Sequence, residues 1–488
     1  MGKNILIGKY TLESLTSGMY LSPLDIYREY VQNSADSIDE AVSKQVISRD
    51  EAKINIDIDS ERKIIIVSDN GVGIAENNVY GCLVDIGNSK KDYQYTRGFR
   101  GIGRLSGLGY CDTLIFETSA KDETTKTIIT YNSKLLQELL LPGEEEQASL
   151  SDVLNRVISS KTEKEAPERH YFTVRMLGVR NEDGLLDKTK VFDYLTENLP
   201  LPFSDQFVWG SMIKEKMKIL NITIPEYRIY LGCDGIEEQL FKPYKNTILS
   251  DRVRRIEDPI QDIKFKTFYI NNNLSGLLWY IEDNYFGTIL DTKIKGIRIR
   301  EGNILFGDQG TLRKCFKEER FNGWLCGELH VVSPYIIPNA RRDDFERNSQ
   351  YLALLEQIST WGADVSKIIR EKSYKRNLDE AENKLVDSIN AEDRQFACSD
   401  KRMENDMSES KLMDLDDSKE LANFDLLNSL SILANSNRNL TKYKALNLSS
   451  KLTREQKVTY EKIFDLLYEK FSKKTANRVV QTIIDNLV

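Results

Sequence analysis

The stretch Ile26–Val42, IYREYVQNSADSIDEAV, constrains this chain more than any other. On a helix of about 3.6 residues per turn, Glu29, Asn33 and Asp36 fall at i, i+4 and i+7 and form one polar stripe. Val31, Ala35, Ile38 and Val42 keep the same spacing on the opposite face. One side of the helix is therefore expected to pack on a core, while the other lines up two carboxylates and an amide. A carboxylate can take a proton from water, and an amide oxygen beside it suits a hard cation such as Mg²⁺. A solvated, acidic helix face is the other reading of such a stripe.

Two later stretches bear on that choice. Lys63–Ile74, KIIIVSDNGVGI, is an apolar run that ends in an acid followed by two glycines. It offers a carboxylate acceptor beside backbone that a flat ring can approach closely. Asn70-Gly71 also reads as a hairpin turn. Arg97–Gly109, RGFRGIGRLSGLG, places Gly98, Gly101 and Gly103 ahead of Leu105 and Leu108. This predicts a loop entering a helix, where free N–H groups can cradle phosphate.

The three stretches, in this order, resemble the nucleotide-binding domain of the GHKL ATPases, the family of gyrase, heat-shock protein 90, the histidine kinases and MutL. The chaperone branch is the most similar, with its Glu-x-x-x-Asn-x-x-Asp helix and its Gly-x-x-Gly-x-Gly. The resemblance implies an ATP- and Mg²⁺-dependent enzyme. Glu29 would orient and deprotonate the attacking water, Asn33 would hold Mg²⁺, and Asp36 would line the pocket. Asp69 would accept the adenine amino group, with Thr173 supporting that contact, and Gly71 and Gly73 would admit the ring. Gly98, Gly101 and Gly103 would wrap the triphosphate. The polar segment from Glu76 to Arg97 corresponds to the family's lid, with Lys90 at its tip among the nucleotide contacts. Pro338–Asp343, PNARRD, resembles the loop whose arginine faces the γ-phosphate; Arg342 fits that position best and Arg341 is next. An arginine fork suits the task because it is always charged and binds phosphate oxygens bidentately.

The expected fold is α+β: a GHKL (Bergerat-type) α/β sandwich over residues 1–185, then a ribosomal-S5-like βαβ transducer domain over 186–348. A helix over 349–391, an acidic flexible linker over 392–448 and C-terminal helices over 449–488 complete the chain. In the first domain, Lys53–Ile58 and Lys63–Val67 read as a hairpin, and strands are expected at Thr113–Thr118, Thr127–Tyr131 and Tyr171–Leu177. The acidic, serine-rich stretch from Gly143 to Glu168 reads as an exposed helix or loop. In the second, Ile222–Ile224, Arg228–Leu231, Lys266–Ile270, Gly276–Ile281, Gly296–Arg300 and Glu328–Val332 have strand character. The apolar faces at the C-terminus pack on this chain or on a second copy.

Composition narrows the rest. With two histidines, His170 and His330, the chain has little for a zinc cluster or a Ser-His-Asp triad. The six cysteines show no Cys-x-x-Cys pair and read as reduced thiols. No apolar run is long enough to span a membrane and no signal peptide is visible, so the expected location is cytoplasmic. A net charge of −8 argues against a protein built to grip nucleic acid. The expected function is an ATP-driven, homodimeric clamp acting on a protein client. A MutL- or MORC-like ATPase working on DNA is the alternative, since Gly98-Phe99-Arg100-Gly101 resembles the MutL motif, and a regulatory ATPase driving a separate effector protein is a third.

Overall fold

The computed structural model describes residues 8–11, 22–86, 103–141, 149–233, 235–251, 253–339 and 343–403, with side chains described to residue 377. Among the described residues, in chain order, come helix α1 (Asp25–Ser43), strands β1 (Ile54–Asp59) and β2 (Ile64–Asp69), and the short helix α2 (Val79–Leu83). Strands β3 (Thr113–Ser119) and β4 (Thr125–Asn132), helices α3 (Ser133–Leu140) and α4 (Leu150–Val157), and strands β5 (Ile158–Lys164) and β6 (Tyr171–Leu177) follow. After helices α5 (Lys188–Asn198) and α6 (Gly210–Ile219), strands β7 (Ile229–Cys233) and β8 (Ile236–Gln239) complete a mixed sheet of order β5-β4-β3-β6-β2-β1-β7-β8.

Alternation fixes this sheet. Ile54, Ile56 and Ile58 of β1 and Ile65 and Val67 of β2 point to one face, where they are buried with Ile26, Val31, Ala35 and Ile38 of α1. The expected hairpin forms, with Ile54 opposite Asp69 and Asp59 opposite Ile64. Two features depart from the sequence reading. Within the serine-rich stretch, Ser149 and Asp152 form a capping box for α4, and β5 then pairs antiparallel with β4. Its sequence, ISSKTEK, has no apolar alternation, because an edge strand is held by its backbone ladder and keeps polar side chains outward. The chain also returns to this sheet after residue 185: β7 pairs parallel with β1, Ile54 opposite Ile229, at the open edge of the hairpin. Ile222–Ile224 forms no strand.

The remaining strands are the pair β9 (Thr247–Ser250) and β10 (Ile256–Pro259), and a second sheet made of β11 (Asp262–Ile270), β12 (Asn273–Glu282), β13 (Gly296–Glu301), β14 (Ile304–Phe306) and β15 (Cys326–Val331). Its order is β11-β12-β15-β13-β14, with β13 and β15 parallel. The crossover between them is built from two 3₁₀ turns, at Arg313–Cys315 and Glu319–Trp324, where the resemblance implies an α-helix. Phe203 and Tyr244 each meet Trp279 edge-on in the core beneath and are tilted to one another.

Helix α7 (Ser349–Met403) begins as expected and packs Leu354, Ile358 and Trp361 inward, with the Trp361 ring 5.2 Å from Tyr280. It continues past residue 391 into the stretch expected as linker, since no proline or glycine interrupts Ala363–Met403. The C-terminal helices expected over 449–488, and residues 404–448, lie outside the described residues. Among the described residues no helix is long and apolar enough to cross a membrane.

Candidate active site

Ser22 and Pro23 lead into α1: the Ser22 carbonyl accepts from the Asp25 N–H at 3.0 Å, and the Ser22 hydroxyl from the Leu24 N–H at 3.3 Å. The helix is then enclosed on almost all sides. Glu29 and Asp36 are each 8% exposed, and Asn33 between them is half-buried. The reading of this stripe as a solvated face is thereby excluded. Two carboxylates withdrawn from water on one helix face need compensation, by cations, donors or a bound group.

β2 delivers Asp69 to the same helix. Asp69 is 4% exposed, and its Oδ1 accepts from the Gly71 N–H at 2.9 Å. The Val72 N–H donates to the carbonyl of Ser37, the residue after Asp36, at 3.2 Å. Asn70 turns away and bridges to residues 51–53, donating to the Glu51 carbonyl at 2.8 Å and accepting from the Lys53 N–H at 2.9 Å. Asn70-Gly71 is therefore a docked loop and no hairpin turn. Both glycines are needed by close approach. A Cβ on Gly71 would lie 2.1 Å from Ser37 Oγ. At Gly73, with φ +67°, it would lie 1.9 Å from the Ser119 carbonyl oxygen.

The third motif reaches the helix from another side. Gly103 opens a 3₁₀ segment, Gly103–Gly109, with Leu105 and Leu108 buried. Its missing side chain leaves room for Glu29: a Cβ there would stand 2.1 Å from Oε2. Arg28 Nε lies 4.0 Å from Glu29 Oε1, while Arg28 Nη2 reaches Asp25 at 3.6 Å. Tyr194 of α5 donates to that same Asp25 at 2.8 Å, and burial pushes the Tyr194 hydroxyl well up, keeping it a donor.

The structure thus brings Glu29, Asn33, Asp36, Asp69, Gly71 and Gly103 onto or against α1, while Gly73 lies against Ser119 and Tyr171. Thr173 does not face α1. It stands opposite Ser68 and Glu117, while Phe172 stands opposite Asp69. Because strand side chains alternate, Thr173 belongs to the face turned away from α1, in a cleft with Asn55, Ser68, Glu117 and Arg175 that Asp69 and Asn70 also line. Lys90, Gly98, Gly101, Arg341 and Arg342 lie outside the described residues. Two contacts were hidden from sequence. Ser37 receives the loop, and His170 Nδ1 meets the Gly71 carbonyl at 2.7 Å across a separation that no local pattern reports.

The glycine cradle and the oxygen donors fit a nucleotide with a hard divalent cation. Among the described residues no group of three or more His, Cys, Asp or Glu could hold a metal ion alone.

Residues 25–160 match the family model described as histidine kinase-, DNA gyrase B- and HSP90-like ATPase. This segment is a GHKL-type ATPase domain. The match spans α1, the Asp69 loop and the Gly103 segment, so all three motifs fall inside the GHKL domain. It supports an ATP-binding domain without selecting a branch of the family. A search of curated proteins finds no match to this chain.

Proposed function

We propose that the GHKL domain binds Mg-ATP against α1 and hydrolyses it. Glu29 orients the attacking water and takes its proton, and Asn33 is the protein ligand to Mg²⁺. The cation, when bound, neutralises phosphate charge. Asp69 accepts the adenine amino group beside Gly71 and Gly73, Asp36 lines the pocket, and Gly98, Gly101 and Gly103 follow the phosphates with Lys90. Arg342, with Arg341 as the neighbouring alternative, faces the γ-phosphate. The observation that carries this reading is the seating of Gly103 on the Glu29 carboxylate. It joins the glycine-rich segment to the acid of the helix stripe so closely that a Cβ on Gly103 would stand 2.1 Å from Glu29 Oε2.

The reading extends to a heat-shock protein 90-like clamp: two cytoplasmic copies that pair with ATP bound and act on a protein client. Calorimetry with ATP and Mg²⁺ tests the first step, and Asp69→Asn should abolish binding while circular dichroism stays unchanged. Unaltered affinity in that variant defeats the assignment. Binding of the ATP-loaded protein to duplex DNA, with a steep salt dependence, would favour the MutL-like reading over the client clamp. ATP-dependent capture of one separate effector would favour a regulatory ATPase.

A further inference from the structure

The stretches on either side of residues 87–102 are joined by one side chain. Arg104 donates from Nε to the Leu83 carbonyl at 3.2 Å and from Nη2 to the Asp85 carbonyl. The Leu83 carbonyl also accepts from the Tyr131 hydroxyl at 2.7 Å, which fixes the end of α2 to the sheet. The main chain of Arg104 is held in turn by α1. Tyr30, 2% exposed and next to Glu29, accepts from the Gly107 N–H at 3.0 Å and donates to the Arg104 carbonyl at 3.4 Å. Gly107 permits this approach, because a Cβ there would stand 2.3 Å from the Tyr30 hydroxyl oxygen.

Successive side chains on a helix diverge by about 100°. Glu29 and Tyr30 can therefore grip one short segment at two points, residue 103 and residues 104–107. Gly103 has no side chain with which to fix itself against the carboxylate. Its position depends on the anchors that follow it. We propose that Tyr30 and Arg104 are positioning residues: together they tie both flanks of the 87–102 stretch to α1 and hold Gly103 in register with the Glu29 carboxylate. The proposal rests on the reading of Glu29 as the base.

Tyr30→Phe keeps the ring and removes both hydrogen bonds. A sub-ångström slip of a positioned group is costly, so kcat should fall at least about tenfold while the Kd for ADP stays within about threefold. Arg104→Gln should do the same. Arg104→Lys should not restore activity, since a point charge cannot serve two carbonyls as a fork does. Gly107→Ala should be harmful in the native background and less so combined with Y30F, which removes the atom its Cβ would strike.

Hydrogen exchange on the nucleotide-free protein gives a readout independent of catalysis. Peptides covering 79–86 and 103–110 should both exchange faster in Tyr30→Phe and in Arg104→Gln. Unchanged exchange, or wild-type kcat in Tyr30→Phe, overturns the proposal. A parallel loss of ADP binding and of thermal stability also overturns it, by reducing Tyr30 to a structural residue. A native protein that hydrolyses no ATP defeats the base reading and the catalytic half of the proposal, while exchange still decides whether the anchor exists.

Discussion

Glu328 on β15 and Glu29 on α1 are both buried carboxylates, and their surroundings differ in kind. Glu328 is 0% exposed and surrounded by donors: Lys242 Nζ at 2.6 and 2.9 Å, the Tyr244 hydroxyl at 3.0 Å, His330 Nε2 at 3.0 Å, and Arg300 Nε. Burial alone would raise its pKa; Arg300 and Lys242 outweigh that and hold it well below the usual carboxylate range. Arg300 also donates to the Glu197 carbonyl of α5 at 2.7 Å, so the cluster ties a helix beside the first sheet to the strands of the second. A buried charge in this setting is a structural fastening. Glu29 meets Arg28 at 4.0 Å and the bare backbone of Gly103. Depth does not distinguish the two carboxylates; the company of their oxygens does.

The sharpest way to break this contrast is to truncate both acids. Glu328→Ala leaves Lys242 and Arg300 buried beside each other, and removing one partner of such a cluster typically costs about 3–5 kcal/mol. Urea unfolding should show a loss of that order, and a loss below about 1 kcal/mol would remove the contrast. Glu29→Ala should change stability little and still bind ATP, yet turn over at least about a hundredfold more slowly. Near-native turnover would show that Glu29 is not the base.

A third test uses pH. Burial holds His330 at a pKa of about 4, below its usual value of 6.5, so the unfolded chain binds the extra proton first as pH falls. Stability should therefore decline from about pH 6.5 down to about pH 4, by up to roughly 3 kcal/mol for the full shift. His330→Gln should flatten that part of the profile in thermal melts taken pH by pH; an identical slope would show that the imidazole does not control it. The smallest effect is expected at Thr173. Because it faces away from α1, Thr173→Val should leave the ATP Kd within about twofold, a shift of under 1 kcal/mol. A tenfold loss would return it to the nucleotide site.

Which parts of this were legible follows from where the information resides. The β1–β2 hairpin was readable because the isoleucines of β1, at every second position, can serve only one face and the apolar run of β2 follows after a short turn. The α1 stripe was readable by spacing, but its burial was not, because enclosure comes from Gly103 and Ser37 contacts set by distant segments. β5 was missed because its order comes from β4 and not from its own side chains. The threonine was assigned by its place in an apolar strand, and a shift of one residue in a strand reverses its face. Phe172, one position earlier, is the residue that shares the face of Asp69.

The parallel pairing of β7 with β1 has a consequence for synthesis. The hairpin that carries Asp69 is complete early, yet the neighbour that covers its outer edge is made only after α5 and α6 have left the ribosome. Until then β1, paired only with β2, presents an open outer edge rich in isoleucine, the kind of edge that recruits other strands. A fragment ending at residue 185 would keep that edge for good and should aggregate, whereas one extended through Gln239 would carry its own cover.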